Sequence, residues 1–95
     1  MFEWDPAKAA ANRAKHGVSF DEAVTAFDDP NGLDGADIMH SAVESRRLLL
    51  AASSAGRVLA VAYTMRMKAD EEVTRIISAR AASRRERNYY DTPEG

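Results

Sequence analysis

The chain contains no cysteine among its 95 residues. This absence excludes disulfide bonds, thiolate metal ligands and a cysteine nucleophile. A domain of this length buries somewhat more than ~60% of the surface of its unfolded chain, so it can fold without a covalent or metal crosslink. The expected location is the cytoplasm, where disulfides are rare.

Proline, glycine and long apolar runs are also scarce. With three prolines and five glycines and no linker-like segment, residues 1–95 are predicted to form one domain. No apolar segment resembles a signal-peptide core or a membrane span, so neither is expected. The two histidines lack metal-binding spacing, and the chain has no glycine-rich phosphate loop or nucleophile elbow. We therefore expect no metal and no cofactor.

Charge is unevenly distributed, although the net charge is only −2. Residues 1–45 carry three basic residues and nine acids, whereas residues 46–95 carry ten basic residues and six acids. Nine of those ten are arginine, whose planar guanidinium pairs two phosphate oxygens and stays charged at working pH. The distribution favours a bipolar molecule with one face for a polyanion, RNA first, and another for a basic partner. The alternative is that the individual arginines are simply solvated.

The order of helix and strand signals predicts an α+β domain. Asp5-Pro6 and His16-Gly17 are start and stop signals for a helix over residues 7–15. Ser19-Phe20-Asp21-Glu22 and Ser83-Arg84-Arg85-Glu86 are capping-box patterns that begin two further helices. Strand patterns occupy residues 2–5, 33–39, 47–53, 58–65 and 73–79, and residues 68–72 form a polar turn. The predicted architecture is an antiparallel sheet of about four strands packed against two N-terminal helices and one C-terminal helix.

Strand alternation in residues 58–66 predicts two unlike faces. One face is large and apolar and should pack on the helices: Leu59, Val61, Tyr63 and Met65. The other is mostly small and should floor a shallow groove that ends in a guanidinium: Val58, Ala60, Ala62, Thr64 and Arg66. In the next strand, strict alternation does not place both Arg75 and Arg80 in that groove.

With these segments in view, the chain resembles the BrnT family of type II toxins, small ribonucleases with a RelE-like fold. The residues that carry the resemblance extend over nearly the whole chain: Phe2-Glu3-Trp4-Asp5 with Lys8 and Asn12, Lys15-His16-Gly17-Val18-Ser19-Phe20-Asp21-Glu22-Ala23, Phe27-Asp28-Asp29-Pro30, Glu44 and Arg46, Tyr63-Thr64 with Arg66, Arg75-Ile76-Ile77-Ser78-Ala79-Arg80, and Glu86-Arg87 with Tyr90. Each piece is short, and their combination in this order is specific.

The resemblance implies a cytoplasmic prokaryotic toxin that cleaves RNA and halts translation. It also implies a BrnA-like antitoxin with a ribbon-helix-helix part, expected in a 2:2 complex, through which operator DNA would be bound and the shared operon repressed. The chain departs from the family pattern in a longer, acidic turn at residues 67–72 and in its overall acidity.

Metal-free cleavage of RNA requires a base for the ribose 2′-hydroxyl, positive charge at the pentavalent phosphate and an acid for the 5′-oxygen. We expect Arg66 and Arg80 to hold the scissile phosphate, with Arg46 or Arg84 on a neighbouring one. Glu44 or a histidine would serve as the base. The alternative for Arg66 and Arg80 is an ion pair at the rim, with Glu44 or Glu86.

Several candidates have an alternative role. His16 is a candidate catalytic residue or a cation that stabilises a helix C-terminus, and His40 fits an exposed loop. Lys15, Arg75 and Tyr90 are candidate RNA-binding residues. Of Tyr89 and Tyr90, one is expected in the core, and the other is left open.

Three classes of function remain: a metal-independent endoribonuclease, a non-catalytic binding module for RNA or an acidic peptide, and an assembly role with the antitoxin. The acids at Asp21-Glu22 and Asp28-Asp29 would dock a basic antitoxin segment. Alternatively, the antitoxin fills the arginine groove with its own acids.

Overall fold

A computed structural model describes residues 1–37 and 45–92 of the chain. In chain order its elements are β1 (Phe2–Glu3), α1 (Pro6–His16), α2 (Phe20–Ala26), β2 (Leu33–Ala36), β3 (Arg47–Ala52), β4 (Val58–Lys68), β5 (Glu71–Ala81) and α3 (Arg84–Asp91). The predicted α+β class and the three helices are confirmed. The sheet has five strands, in the order β1-β5-β4-β3-β2, where about four were predicted. It is also not wholly antiparallel, because β1 pairs with β5 in parallel.

Local signals set the helix ends as the sequence indicates. The Asp5 carboxylate accepts from the backbone N–H of Ala7 at 2.9 Å, and Gly17 ends α1 with a left-handed φ of 70°. Before α3, Ser83 and Glu86 form the complete capping box. At α2 only half of the predicted box forms, because Glu22 directs its carboxylate to Arg57 and Ser53 instead of back to the Ser19 N–H.

The main core lies between the first two helices and one face of the sheet. Helix α2 and the residues before it contribute Val18, Phe20, Ala23 and Ala26. The sheet contributes apolar side chains of β3, β4 and β5: Leu49, Ala51, Leu59, Val61, Tyr63, Ile76 and Ala79. Three of the four large β4 residues are therefore placed as predicted. Met65 is not, because its side chain lies 42% exposed at the far end of the strand.

The opposite face of the sheet carries a smaller apolar cluster beneath α3. Its buried members are Leu50, Ala60 and Ala82. Tyr89 of α3 lines a shallow depression with Leu48 and Leu50, which places the helix over this end of the face. The small residues of β4 therefore floor an open groove only beyond the helix, near Thr64.

The connection between β4 and β5 differs from the predicted longer polar turn. Strand pairing continues to Lys68 and Glu71, which leaves a two-residue turn at Ala69 and Asp70. Both turn residues have positive φ, 50° and 65°. This is the geometry of a type I′ hairpin turn, whose twist suits two long antiparallel strands. The acidic residues at 71 and 72 thus belong to a strand.

A register shift in β5 changes the predicted direction of its arginines. Ser78 pairs with Ala62 and Ile76 pairs with Tyr63, so Ile77 is an extra residue in β5. An extra residue inverts the alternation beyond it. The register then puts Arg75, opposite Thr64, and Arg80, opposite Ala60, on the same face of the sheet. The expectation that they could not share a face is wrong.

The Asn12 side chain pairs with backbone groups at the edge of β5, beyond the end of β1. Its side-chain amide donates to the carbonyl oxygens of Ala79 and Val18, at 2.8 and 3.0 Å, and its oxygen accepts from the Ala79 N–H. The side chain is only 7% exposed. Asn12 therefore substitutes for a neighbouring strand and fixes α1 to the sheet.

Candidate nucleic-acid interface

The Glu3 carboxylate, on the face of the sheet opposite the main core, forms ion pairs with three cationic side chains. Glu3 pairs with Lys68 at 2.6 Å, with Arg75 at 3.0 Å and with Arg66 at 3.8 Å. The register explains the group: Glu3 lies opposite Arg75, and Arg75 lies opposite Thr64, two residues before Arg66. We call Glu3, Arg66, Lys68 and Arg75 the Glu3 cluster.

The charges of the Glu3 cluster do not balance. Hydrogen bonds from Lys68, and then from Arg75, lower the pKa of the Glu3 carboxyl, which is therefore ionised at neutral pH. Three cations then face one anion. The two side chains of Arg66 and Lys68 are 53% and 59% exposed, so solvent or a ligand reaches them. An anion that enters this region meets an excess of positive charge.

A cavity of about 330 Å³ lies beside the cluster. It is lined by side chains from α1, the start of β3, and the paired strands β4 and β5: Lys8, Ser45, Arg46, Thr64, Met65, Arg66, Arg75 and Ile77. Four of these described lining residues are cationic and none is acidic, while Ser45 and Thr64 supply hydroxyl groups. The cavity is therefore suited to a phosphate group.

Arg80 has a separate partner on the same face. Its two terminal nitrogens donate to the two Glu86 carboxylate oxygens, at 2.7 and 3.0 Å. This interaction lowers the pKa of Glu86 to about 2 and raises the pKa of Arg80. The rim ion pair that the sequence offered as the alternative role for Arg80 is thus present, and it links β5 to α3.

Arg66 and Arg80 lie too far apart along the sheet to share one phosphate. Arg80 is opposite Ala60, and six residues of extended β4 between Ala60 and Arg66 span ~20 Å. The two arginines can contact different phosphates of one strand. The side chains that lie with Arg66 are instead those of Arg46 and Arg75, two of the predicted RNA-binding residues.

His16 and Lys15 lie at the end of α1 away from the cavity, which is lined by Lys8 near the start of the same helix. They end α1 next to Gly17, whose carbonyl oxygen accepts from Arg57 at 3.0 Å. Arg57 precedes β4, and Arg66 is near its end, roughly 30 Å further along extended backbone. The structure therefore does not bring His16 or Lys15 together with the cavity.

The remaining predicted residues fall in three places. Arg84 is the exposed first residue of α3. Tyr90 donates a hydrogen bond to Asp29 on the β2 side of the sheet, and neither it nor Tyr89 is buried, so the expected core tyrosine is absent from α3. Glu44 and His40 lie outside the described residues.

Two of the acids expected to bind a basic partner instead form hydrogen bonds with other residues of the chain. Glu22 accepts from Arg57 through both carboxylate oxygens, at 2.7 and 2.8 Å, and from the Ser53 hydroxyl at 2.7 Å. The Arg57 interaction lowers the pKa of Glu22 to about 2. Asp29 accepts from the backbone N–H of Ala52 and from Tyr90, and these bonds lower its pKa.

Sequence reasoning missed two polar groups. The first is Glu3 as the centre of a cation cluster; its alternation with Phe2 was visible, but its pairing with β5 was not. The second joins Asp34, Arg47 and Tyr63: the Tyr63 hydroxyl donates to Asp34, and Arg47 approaches both partners at 3.3 Å. Burial, with this hydrogen bond, raises the pKa of Tyr63 to about 12, so the phenol remains protonated.

Two further observations bear on the type of site. Among residues 1–37 and 45–92, no group of three or more His, Cys, Asp and Glu side chains could hold a metal ion. No helix of the described chain is long and apolar enough to cross a membrane.

Comparison with known proteins identifies the family. The model of the ribonuclease toxin BrnT of type II toxin–antitoxin systems matches residues 4–86, which is most of the chain. The chain belongs to the BrnT family. A search of curated proteins gives no match. BrnT membership makes this chain a ribonuclease toxin of a type II system, with RNA as its target and a protein antitoxin as its partner. The matched region includes the cavity and both ends of the Arg80–Glu86 pair.

Proposed function

We propose that this BrnT chain cleaves RNA without a metal ion, at the cavity beside the Glu3 cluster, and thereby inhibits translation. The observation that carries the proposal is the cavity lining, with four cations and no acid among the described residues. Fixed positive charge that faces a phosphate stabilises the extra negative charge of a pentavalent transition state. Family membership supports RNA as the substrate.

In this proposal, Arg66 and Arg75 bind the non-bridging oxygens of the scissile phosphate. The Arg66 guanidinium is half exposed, and Arg75 is held by Glu3 at 3.0 Å, so one is available and the other is fixed in place. Arg46 and Lys8 bind the same phosphate or its neighbour. The 2′-oxygen attacks phosphorus as it loses its proton, and the 5′-oxygen leaves as it gains one, which gives a 2′,3′-cyclic phosphate and a 5′-hydroxyl.

Arg80 and Arg84 are proposed to bind phosphates further along the strand. Arg80 keeps Glu86 as a partner, and because a guanidinium has five N–H donors, donors remain for a flanking phosphate. Glu44 is proposed as the general base. His16 and Lys15 are proposed to act at the helix end and not in cleavage, because they lie far from Arg66.

A BrnA-like antitoxin is proposed as the partner, in a 2:2 complex that binds operator DNA through the antitoxin. BrnT membership supports an antitoxin partner, and the family resemblance of the sequence suggests its type.

The test is induced expression of the wild-type chain and of Arg66→Ala, with Arg13→Ala as the control. Arg13 is an exposed arginine of α1, so the control removes the same charge elsewhere. Growth arrest with loss of RNA integrity is expected in the wild type and the control only. Arrest by Arg66→Ala at the wild-type level would contradict the assignment.

Purified protein should cleave RNA in EDTA and leave 2′,3′-cyclic phosphate ends. Cleavage that requires a divalent ion would contradict metal independence.

A non-catalytic RNA-binding module is the second candidate. It is favoured by one observation: the described carboxylate in contact with Arg66 is Glu3, whose lowered pKa makes it a weak base. In that case the purified wild-type chain binds RNA and leaves it intact. The same purified protein in the cleavage assay therefore distinguishes the two candidates.

A further inference from the structure

The fold removes much of the acidic surface that a basic partner would need. Glu22 is ion-paired with Arg57 and only 16% exposed in its side chain, and Asp29 bonds to Ala52 and Tyr90. Asp21, next to Glu22 in the sequence, and Asp28, next to Asp29, remain exposed. A basic antitoxin segment would therefore meet two scattered acids and not the four that the sequence presents together.

The opposite charge remains concentrated. Among residues 1–37 and 45–92, the carboxylate that pairs with Arg66, Lys68 and Arg75 is that of Glu3, which leaves an excess of two positive charges within the Glu3 cluster. Two of those three cations are more than half exposed. Lys8 contributes a further cation to the adjoining cavity.

This face already binds carboxylates from within the chain. Glu3 accepts from Lys68 and Arg75 at 2.6 and 3.0 Å, and Glu86 accepts from Arg80 through both oxygens. Both acids therefore show that a glutamate side chain fits these cations at hydrogen-bond distance. Guanidinium groups pair a carboxylate in the same fork geometry as a phosphate.

We propose that the antitoxin neutralises this toxin with an acidic segment whose carboxylates enter the cavity beside Glu3 and occupy Arg66 and Arg75. The competition with RNA rests on the proposed function, since the same cations would bind the scissile phosphate. The partner segment is rich in Asp or Glu, and it excludes RNA by occupying the site and not by acting at a distance. Its binding weakens with salt, because the pairing groups are partly exposed.

Two probes test the inference on the full chain. One is hexaglutamate, with the uncharged hexaglutamine as its control. The other is a fluorescein-labelled 2′-O-methyl oligouridylate, which binds as RNA does and lacks the free 2′-hydroxyl needed for cleavage. Fluorescence anisotropy at low ionic strength measures displacement of the oligonucleotide by each peptide. The proteins are the wild type, Arg66→Gln with Arg75→Gln, and Arg13→Gln.

We expect hexaglutamate to displace the oligonucleotide from the wild type and from Arg13→Gln, with affinity for the double variant at least about fivefold weaker. Hexaglutamine, which has the same length and no charge, should not displace it. Hexaglutamate that fails to displace a bound oligonucleotide, or that binds the double variant as well as the wild type, would overturn the inference and leave the proposed function standing. If direct titration instead shows that hexaglutamate binds at Arg66 and Arg75 and the oligonucleotide does not bind, the inference is supported and the proposed function fails.

Discussion

At the scale of single residues, Glu3 determines how much positive charge the cavity presents. It neutralises one of three nearby cations and holds Arg75 at 3.0 Å. It can therefore act as an internal competitor of phosphate or as a residue that positions the arginines. These two roles predict opposite effects of its removal.

We expect Glu3→Gln to bind RNA more tightly, by roughly two- to fivefold. The exposed ion pairs of Glu3 contribute little to holding the cations in place, whereas the loss of one negative charge strengthens the attraction to a polyanion. Anisotropy with the oligonucleotide described above measures the affinity and its salt dependence. Asp5→Asn is the control, since Asp5 is a nearby acid that caps α1. Weaker binding by Glu3→Gln would show that positioning of Arg75 dominates.

Asn12 is the residue on which the packing of α1 depends most. Asn12→Ala leaves the carbonyl of Val18 and both backbone groups of Ala79 without their buried partner. We expect a loss of about 2–3 kcal/mol in the free energy of unfolding, measured by urea denaturation. Arg13→Ala, on the exposed side of the same helix, should change it by less than about 0.5 kcal/mol. Equal stability of Asn12→Ala and the wild type would contradict this role.

At the scale of elements, the sequence predicts helices better than it predicts the long hairpin. Helix ends are set by local chemistry, such as the Ser83 cap, and alternation correctly assigns Leu59 and Val61 to the core. The extra residue Ile77 has no local signal, because it is defined only by the partner strand. For this reason the shared face of the β5 arginines could not be predicted.

The sequence predicts a turn between β4 and β5 but not its two-residue length, because Ala69 is not a residue that type I′ turns favour. Ala69→Asn with Asp70→Gly places the preferred residues at φ values of 50° and 65°. We expect this change to raise the free energy of unfolding by about 1 kcal/mol. Thermal or urea unfolding measures it. Destabilisation by the pair would show that the turn has another geometry.

The Glu22–Arg57 ion pair links helix α2 to the β3–β4 hairpin. Its contribution to the free energy of unfolding depends on pH. The folded-state pKa of Glu22, about 2, lies below its ordinary 4.5. The contribution is therefore complete above pH ~4.5 and is lost as pH falls toward 2. We expect Glu22→Gln to cost about 1–2 kcal/mol at pH 7, after allowance for the exposure of Arg57, and to flatten the loss of stability between pH 4.5 and 2.

Urea unfolding at pH 7, 4.5 and 2.5 follows this loss. Asp21→Asn, an exposed acid on the same helix, is the matched control and should leave the pH profile unchanged. A Glu22→Gln profile as steep as that of the wild type would assign the acid sensitivity to other carboxylates.

At the scale of the whole molecule, the acidic first half and the basic second half of the sequence do not remain apart. Glu3, Glu22 and Asp34 each pair with cations from the second half. The sequence therefore predicts where charge lies along the chain but not which charges remain unbalanced after folding. Among the described residues, the Glu3 cluster beside the cavity keeps an excess of positive charge, while Asp21 and Asp28 stay exposed on the first half of the chain.

The central claim is that this cationic region carries out RNA cleavage. The most direct measurement is the single-turnover cleavage rate of an RNA oligonucleotide in EDTA by the purified wild type, Arg66→Gln and Arg13→Gln. We predict a rate about 10²-fold lower for Arg66→Gln and unchanged for Arg13→Gln, because Arg66 lines the cavity proposed to hold the scissile phosphate and Arg13 does not. A rate for Arg66→Gln within twofold of the wild type would contradict the account.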